Sequence, residues 1–242
     1  MRLTLEFGFN KEIILPIHYN YHIQSFLYHH ISPELSSFLH NQGYRFGKRY
    51  FKMFTFSKLY GKYRITKGKI KFYPPIYLTI GSPIDRFISE LGNTLLKNDD
   101  LELVGNKIYV NSIKVHPEPE IKEEMKIRML SPVVVYSTLL TMEGKKKTYY
   151  YSPFEGEFSD KIDGNLRRKY EAFNGRKPRA RKLRIKPLKG VDERILKYQN
   201  NIIRGWIGKF KIEGNKKLLK LAYDTGIGSK NSQGFGMFEV IG

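Results

Sequence analysis

Cysteine is absent from the 242 residues, which excludes disulfides, thiolate nucleophiles and cysteine-ligated metals. Tryptophan occurs once. Acidic side chains are scarce: 23 Asp and Glu face 43 Lys and Arg, a formal net charge of +20. Long apolar runs are also missing. The longest, around Val133 to Val135, is far too short to cross a bilayer. At the start of the chain Leu3, Leu5 and Phe7 alternate with Arg2, Thr4 and Glu6. That is the pattern of a strand with one buried face, not of a signal peptide. A charge excess of this size attracts polyanions. With no membrane segment to serve, nucleic acid is favoured over an anionic membrane surface, and a cytoplasmic location is the expectation.

Hydrophobic residues make up 40% of the chain, enough for one large domain or two small ones with cores of their own. Seventeen Tyr and 16 Phe accompany the basic charge. Flat rings beside cations suit single-stranded RNA, whose exposed bases stack on aromatic faces, although most of these rings are needed in cores.

The periodicities predict an α+β chain. After the opening strand, Ile23, Phe26, Leu27 and Ile31 recur at helical spacing before Pro33, and Leu35, Phe38 and Leu39 predict a second short helix ending at Gly43. Tyr50 to Phe56 and Lys69 to Ile80 read as strands, the latter with a break or an edge at Pro74 and Pro75. Ser82, Pro83 and Asp85 predict a capped helix with the stripe Ile84, Phe87, Ile88, Leu91 and Leu95. One or two strands then span Leu101 to Val115. This order is β-α-β-β-α-β, that of a ferredoxin-like domain.

His116 to Glu120, with two prolines, is the candidate linker, dividing the chain at 1–118 and 119–242. Beyond it, strands are expected over Lys126 to Thr138, Lys147 to Tyr151, Leu183 to Leu188, Ile203 to Ile212 and Met237 to Ile241. Trp206, Phe210 and Ile212 should share one face. Ser159 is expected to cap a helix with the stripe Ile162, Leu166, Tyr170 and Phe173, and Lys216 to Tyr223 to form another. The second half therefore admits the same β-α-β-β-α-β order.

Two segments suggest anion binding. Gly226 to Met237 carries four glycines, Gly226, Gly228, Gly234 and Gly236, which let backbone amides approach a phosphate or a base. It fits neither a dinucleotide fingerprint nor a GxxxxGK[ST] loop, and a flexible hairpin is the plain alternative. Arg176 to Lys189 holds Arg176, Lys177, Arg179, Arg181, Lys182, Arg184, Lys186 and Lys189 with no acidic residue. With Arg167, Arg168 and Lys169 close by, it reads as an arm lying along a phosphate backbone. Five of six histidines fall between His18 and His40. With only Glu12 and Glu34 nearby, no metal site or cofactor is expected.

Cleaving RNA without a metal requires three roles: a base for the ribose 2′-hydroxyl, an acid for the departing 5′-oxygen, and a cation for the phosphorane. Histidine suits either proton role; tyrosine is a poor base unless cations lower its pKa. The stretches LPIHYNYHIQSFLY (residues 15–28), FLHNQGY (38–44) with FKMFTFS (51–57), and GIGSKNSQGFGMFEV (226–240) together resemble the CRISPR-associated endoribonucleases of the RAMP superfamily, which process precursor guide RNA. The match spans nearly the whole chain. It implies two tandem ferredoxin-like (RRM-like) domains, metal-independent cleavage of CRISPR repeat RNA, and products with 2′,3′-cyclic phosphate and 5′-hydroxyl ends.

By the same resemblance, Tyr28, His40 and Lys52 are the active-site residues. His40 would transfer a proton, as general acid, Tyr28 would be base or orienting group, and Lys52 would steady the phosphate. RNA would be held by Arg176, Lys177, Arg179, Arg181, Lys182 and Arg184 of the basic arm. Gly226, Gly228, Lys230, Gln233, Gly234, Phe235 and Gly236 of the glycine segment would hold it too. His22, His29 and His30 are alternative bases. A non-catalytic repeat-binding subunit is the rival reading, and the sequence leaves open dimerisation and attachment to a multi-subunit CRISPR effector complex.

Overall fold

The structure, a computed structural model, describes residues 1–241. Strands β1 (Arg2–Gly8) and β2 (Ile13–Pro16) lead into helices α1 (Asn20–His29) and α2 (Pro33–Ser37), and a π-helical turn over Phe38–Gln42. A small hairpin of β3 (Tyr44–Phe46) and β4 (Arg49–Phe51) follows. Then come β5 (Thr55–Phe56), β6 (Tyr60–Thr66), β7 (Lys69–Gly81), α3 (Asp85–Lys97), β8 (Leu101–Leu103) and β9 (Asn106–His116). The main sheet is antiparallel with the order β2-β7-β1-β9-β8, and β5 and β6 also pair with β7. Strand β1 turns Leu3, Leu5 and Phe7 onto the helices. Ile23, Phe26 and Leu27 of α1 and Phe87, Ile88, Leu91 and Leu95 of α3 complete that core. Each fully buried Phe or Leu contributes roughly 1.5–3 kcal/mol of transfer free energy.

The second unit repeats the plan. Strands β10 (Glu124–Met129), β11 (Tyr136–Leu140) and β12 (Lys146–Tyr150) precede α4 (Gly156–Asn174). Strands β13 (Arg184–Pro187), β14 (Asp192–Tyr198), β15 (Asn201–Ile207) and β16 (Lys209–Glu213) lead to α5 (Lys216–Thr225) and the closing β17 (Phe238–Ile241). The sheet order β13-β16-β10-β17 places the first and third core strands in the middle, as in the first unit. Its core gathers Ile127, Phe158, Ile162, Leu166, Phe210, Ile212, Leu218 and Phe238. The hairpins β11–β12 and β14–β15 are insertions into this frame. The fold is two tandem ferredoxin-like domains.

Several local expectations differ from what forms. Lys126 to Thr138 is not one strand: β10 stops at Met129, and the chain turns before β11. Ile203 to Ile212 breaks at Gly208, so Trp206 lies on β15, apart from Phe210 and Ile212 on β16, and β14 was not anticipated. Tyr50 to Phe56 divides into β4 and β5 around Lys52. Pro74 and Pro75 interrupt nothing. Tyr73 pairs with Lys62 and Ile76 with Gly61, so the two prolines form a bulge inside a continuous β7. Helix α3 starts at Asp85 with no side-chain cap; Ser82 Oγ instead accepts from Ile84 N at 3.0 Å and donates to Met53 O at 2.8 Å. Ser159 lies within α4, where its hydroxyl accepts from Ile185 N at 3.1 Å.

The domains are pinned together by Arg2. Its guanidinium is buried 3.3 Å from the centroid of the Tyr223 ring, and donates to the carbonyls of Phe238, at 2.5 Å, and Tyr223. Burial lowers its pKa to about 10, against the pull of Tyr223 and Asp224. It stays charged at neutral pH, where the two carbonyls and the ring replace water.

Candidate active site and RNA cleft

Three separate segments deliver Tyr28, His40 and Lys52 to one place. Tyr28 sits near the C-terminal end of α1, and its ring meets the His40 ring edge-on, centroids 5.5 Å apart, with Phe54 on another side at 5.6 Å. His40 belongs to the π-helical turn, which closes when Gly43 N donates to Phe38 O at 2.7 Å. Gly43 has φ +65°, and a Cβ there would stand 2.7 Å from Phe51 O and 3.2 Å from Lys52 Cδ. Glycine is therefore required for the turn and for the approach of Lys52. The Lys52 ammonium donates to His40 O at 2.7 Å.

The electrostatics separate the roles of these groups. His40 is exposed, and its Nδ1 donates to Asn41 Oδ1 at 2.9 Å, while Nε2 makes no hydrogen bond among the described residues. Burial raises the Tyr28 phenol well above the ordinary tyrosine range, so it stays protonated near neutrality. The phenolate that a base would need is disfavoured, contrary to one of its two expected roles. Partial burial lowers the Lys52 ammonium. The alternative histidines lie on or beside α1: His29 Nδ1 donates to Ser25 O and His30 Nδ1 to Phe26 O, both at 2.7 Å. His22 lies against Tyr21, with ring centroids 5.7 Å apart.

Lys52 also lines a cleft of about 690 Å³ between the domains. From the first domain come Arg49, Tyr50 and Lys52. From the second come Tyr136, Asp160, Lys161, Asn165, Arg168, Ser229, Lys230 and Ser232. Asp160 is the only carboxylate among the lining residues, and Lys182 holds it at 2.7 Å. Lys230 is fixed in the left-handed conformation, φ 62°, with its ammonium 5.4 Å from the Tyr136 ring centroid, and burial lowers its pKa. A non-glycine residue held there carries strain that the surrounding structure must support.

The glycine segment does not offer the free amides expected of it. Gly226 N donates to Ala222 O, Ile227 N to Gly236 O, Ser229 N to Val134 O, Gly234 N to Asn231 O and Gly236 N to Pro132 O, at 2.7–3.0 Å. Gly226, Gly234, Phe235 and Gly236 are buried. A Cβ on Gly234 would overlap the Phe56 ring, and one on Gly236, at φ +78°, would overlap Ile227 O. These glycines permit close packing, and only Gly228 and Lys230 of the expected RNA-binding set line the cleft.

Lys169 pins the segment from below. Its fully buried Nζ donates to Asn231 Oδ1 at 2.6 Å and Gly226 O at 2.8 Å. Helix α1 clasps the other side. Asn20 Nδ2 donates to Gln233 O at 2.9 Å; Gln24 Nε2 donates to Ser232 O at 2.8 Å, and its Oε1 accepts from Tyr198. Asn20, Gln24 and Tyr28 are four apart, so one helix stripe carries both the clasp and the candidate site residue Tyr28.

The basic arm lies outside this cleft. Arg176, Lys177, Arg179 and Arg184 are exposed, whereas Arg181 is paired with Glu123 at 2.9 Å and Lys182 with Asp160. Arg167 donates to the arm's backbone at Ala180 and Arg181, both at 3.0 Å, and fixes its path. Sequence reasoning missed Arg49 and Lys161 as cleft residues. RFGKRYFK, residues 45–52, holds four cations without an acid, and that run is a signal in hindsight.

Among the described residues, no helix is long and apolar enough to cross a membrane. Residues 14–114 match the family described as CRISPR-associated protein Cas6, N-terminal, and residues 116–240 match CRISPR associated protein Cas6, C-terminal. The chain is 31% identical to "CRISPR-associated endoribonuclease Cas6 1" of Methanocaldococcus jannaschii, across 98% of this chain and 91% of that one. It is also 31% identical to "CRISPR-associated endoribonuclease Cas6" of Pyrococcus furiosus, across 94% of this chain and 84% of the relative. A solved structure described as "CRISPR associated protein Cas6" superposes with a TM-score of 0.81 at 30% identity, covering 100% of this chain and 99% of the other. The chain belongs to the Cas6 family of CRISPR-associated proteins.

Proposed function

We propose that this chain is a metal-independent endoribonuclease that cuts CRISPR repeat RNA into mature guide RNA. The observation that carries the reading is the convergence of Tyr28, His40 and Lys52 beside a cleft whose only lining carboxylate is already paired. The 2′-oxygen attacks the adjacent phosphorus, the P–O5′ bond breaks, and the products carry a 2′,3′-cyclic phosphate and a 5′-hydroxyl. Tyr28, kept neutral by burial, orients the 2′-hydroxyl, whose proton leaves to solvent. His40, as the doubly protonated imidazolium, gives its Nε2 proton to the departing 5′-oxygen and is left neutral. Lys52 offsets the charge on the phosphorane.

The RNA strand crosses the cleft over Ser229, Lys230 and Ser232. The exposed Arg176, Lys177, Arg179 and Arg184 meet phosphates further along. Cleavage of labelled repeat RNA in EDTA, beside a substrate with a 2′-deoxy at the cut site, tests the reading. Cutting that survives EDTA and stops with the 2′-deoxy substrate is expected. Tight binding without cutting would instead make the chain a repeat-binding subunit.

A further inference from the structure

Arg49 and Arg168 line the cleft from different domains, one on the β3–β4 hairpin and one on α4. Neither makes an ion pair among the described residues. Burial and the charge of Arg49 both hold the Arg168 guanidinium below its usual range. Two cations in one cleft whose only lining carboxylate, Asp160, is already paired with Lys182 repel each other. The Nε of Arg168 is buried with no acceptor, and three residues earlier the Oδ1 of Asn165, itself 8% exposed, is buried with no donor. Buried polar atoms are ordinarily paired. Here an orphaned donor and an orphaned acceptor share one helix face and one cleft.

The pattern matches a nucleotide unit: a phosphate to satisfy the two guanidiniums, and a hydroxyl to satisfy the amide oxygen. A planar guanidinium suits phosphate better than an ammonium does, because its N–H groups meet two oxygens at once. The hairpin is braced for this purpose by Tyr44, whose ring packs on Phe173 of α4 with centroids 5.0 Å apart.

We propose that Arg49 and Arg168 together hold one phosphodiester of the RNA strand close to the cut bond, and that Asn165 accepts a hydrogen bond from the 2′-hydroxyl of the same nucleotide. The site rests on the endoribonuclease reading and adds to it a subsite that distinguishes RNA from DNA away from the reacting atoms.

The test uses the full chain and repeat RNA made uncleavable by a 2′-deoxy at the cut site. Methylphosphonates are placed one at a time at the linkages flanking the cut. One linkage should cost the wild type about 5–10-fold in affinity, the loss of a single phosphate contact. The double variant Arg49→Ala/Arg168→Ala should lose affinity with unmodified RNA, and should lose nothing more at that linkage. Arg168→Lys, which keeps the charge and loses the planar fork, should fall between, with thermal melts confirming that it folds. A 2′-deoxy at that nucleotide should weaken the wild type and not Asn165→Ala. Wild-type affinity in the double variant, or a full methylphosphonate penalty in it, would overturn the subsite. Normal wild-type cleavage with either of those results sinks this inference alone, whereas repeat RNA that is neither bound nor cut by the wild type sinks the endoribonuclease reading as well.

Discussion

The ammonium of Lys52 donates to the backbone carbonyl of His40, 2.7 Å away, so the cation is held on the backbone that carries the imidazole. Replacing His40 by Ala leaves that carbonyl, and with it the placement of Lys52, in position. His40→Ala is therefore expected to lower single-turnover cleavage by about 10²–10⁴-fold while repeat affinity stays near wild type. A collapse of affinity would show that His40 binds or builds the site instead of transferring a proton.

Lys169 sets a pH dependence of stability. Burial lowers its pKa from 10.5 to about 7 in the folded protein. Between those values the unfolded chain holds a proton at this position that the folded chain lacks, so this lysine makes stability rise with pH from about 7 to 10.5, and the dependence vanishes below 7. Urea midpoints of wild type and Lys169→Met at pH 7 and pH 9 should diverge, the wild type gaining relative to the variant. Parallel curves would mean that Lys169 stays charged among its oxygen partners.

Gly236→Ala should destabilise the protein by roughly 2–4 kcal/mol, because it forces alanine to φ +78° and drives a methyl group into Ile227 O. Thermal denaturation measures it. A neutral result would mean that the glycine segment rearranges without cost.

Binding of repeat RNA should be strongly salt-dependent. If five to eight phosphates are neutralised, log affinity falls against log salt with a slope of about −4 to −6. A slope near zero would remove both the cleft and the basic arm from the interface.

The repeated β-α-β-β-α-β frame was legible because its elements each bury one face. Leu3, Leu5 and Phe7 alternate, and Phe87, Ile88, Leu91 and Leu95 form a stripe. The hairpins β3–β4 and β14–β15 escaped notice because they are largely exposed and leave no periodic signal. Tyr28, His40 and Lys52 are proposed through resemblance; their spacing alone gives no hint that a π-helical turn and a glycine bring them together. The glycine segment was misread in its mechanism. Glycine serves a phosphate-cradling backbone and a tightly packed one equally well, and only the hydrogen bonds tell them apart. Arg49 and Arg168 lie far apart in sequence, and either one alone looks like ordinary surface charge.

The buried glycine segment has a consequence for how such a protein diversifies. A stretch whose backbone bonds are consumed by Val134, Pro132 and Asn231 tolerates no change in length. The β11–β12 hairpin extends from the frame with most of its residues in solvent, and its tip can lengthen or shorten without disturbing a core, whereas β14–β15 is anchored by the buried Tyr198 and Ile203. An added or lost residue in the glycine segment would therefore break the packing beneath the cleft, whereas one at the β11–β12 tip would leave it intact.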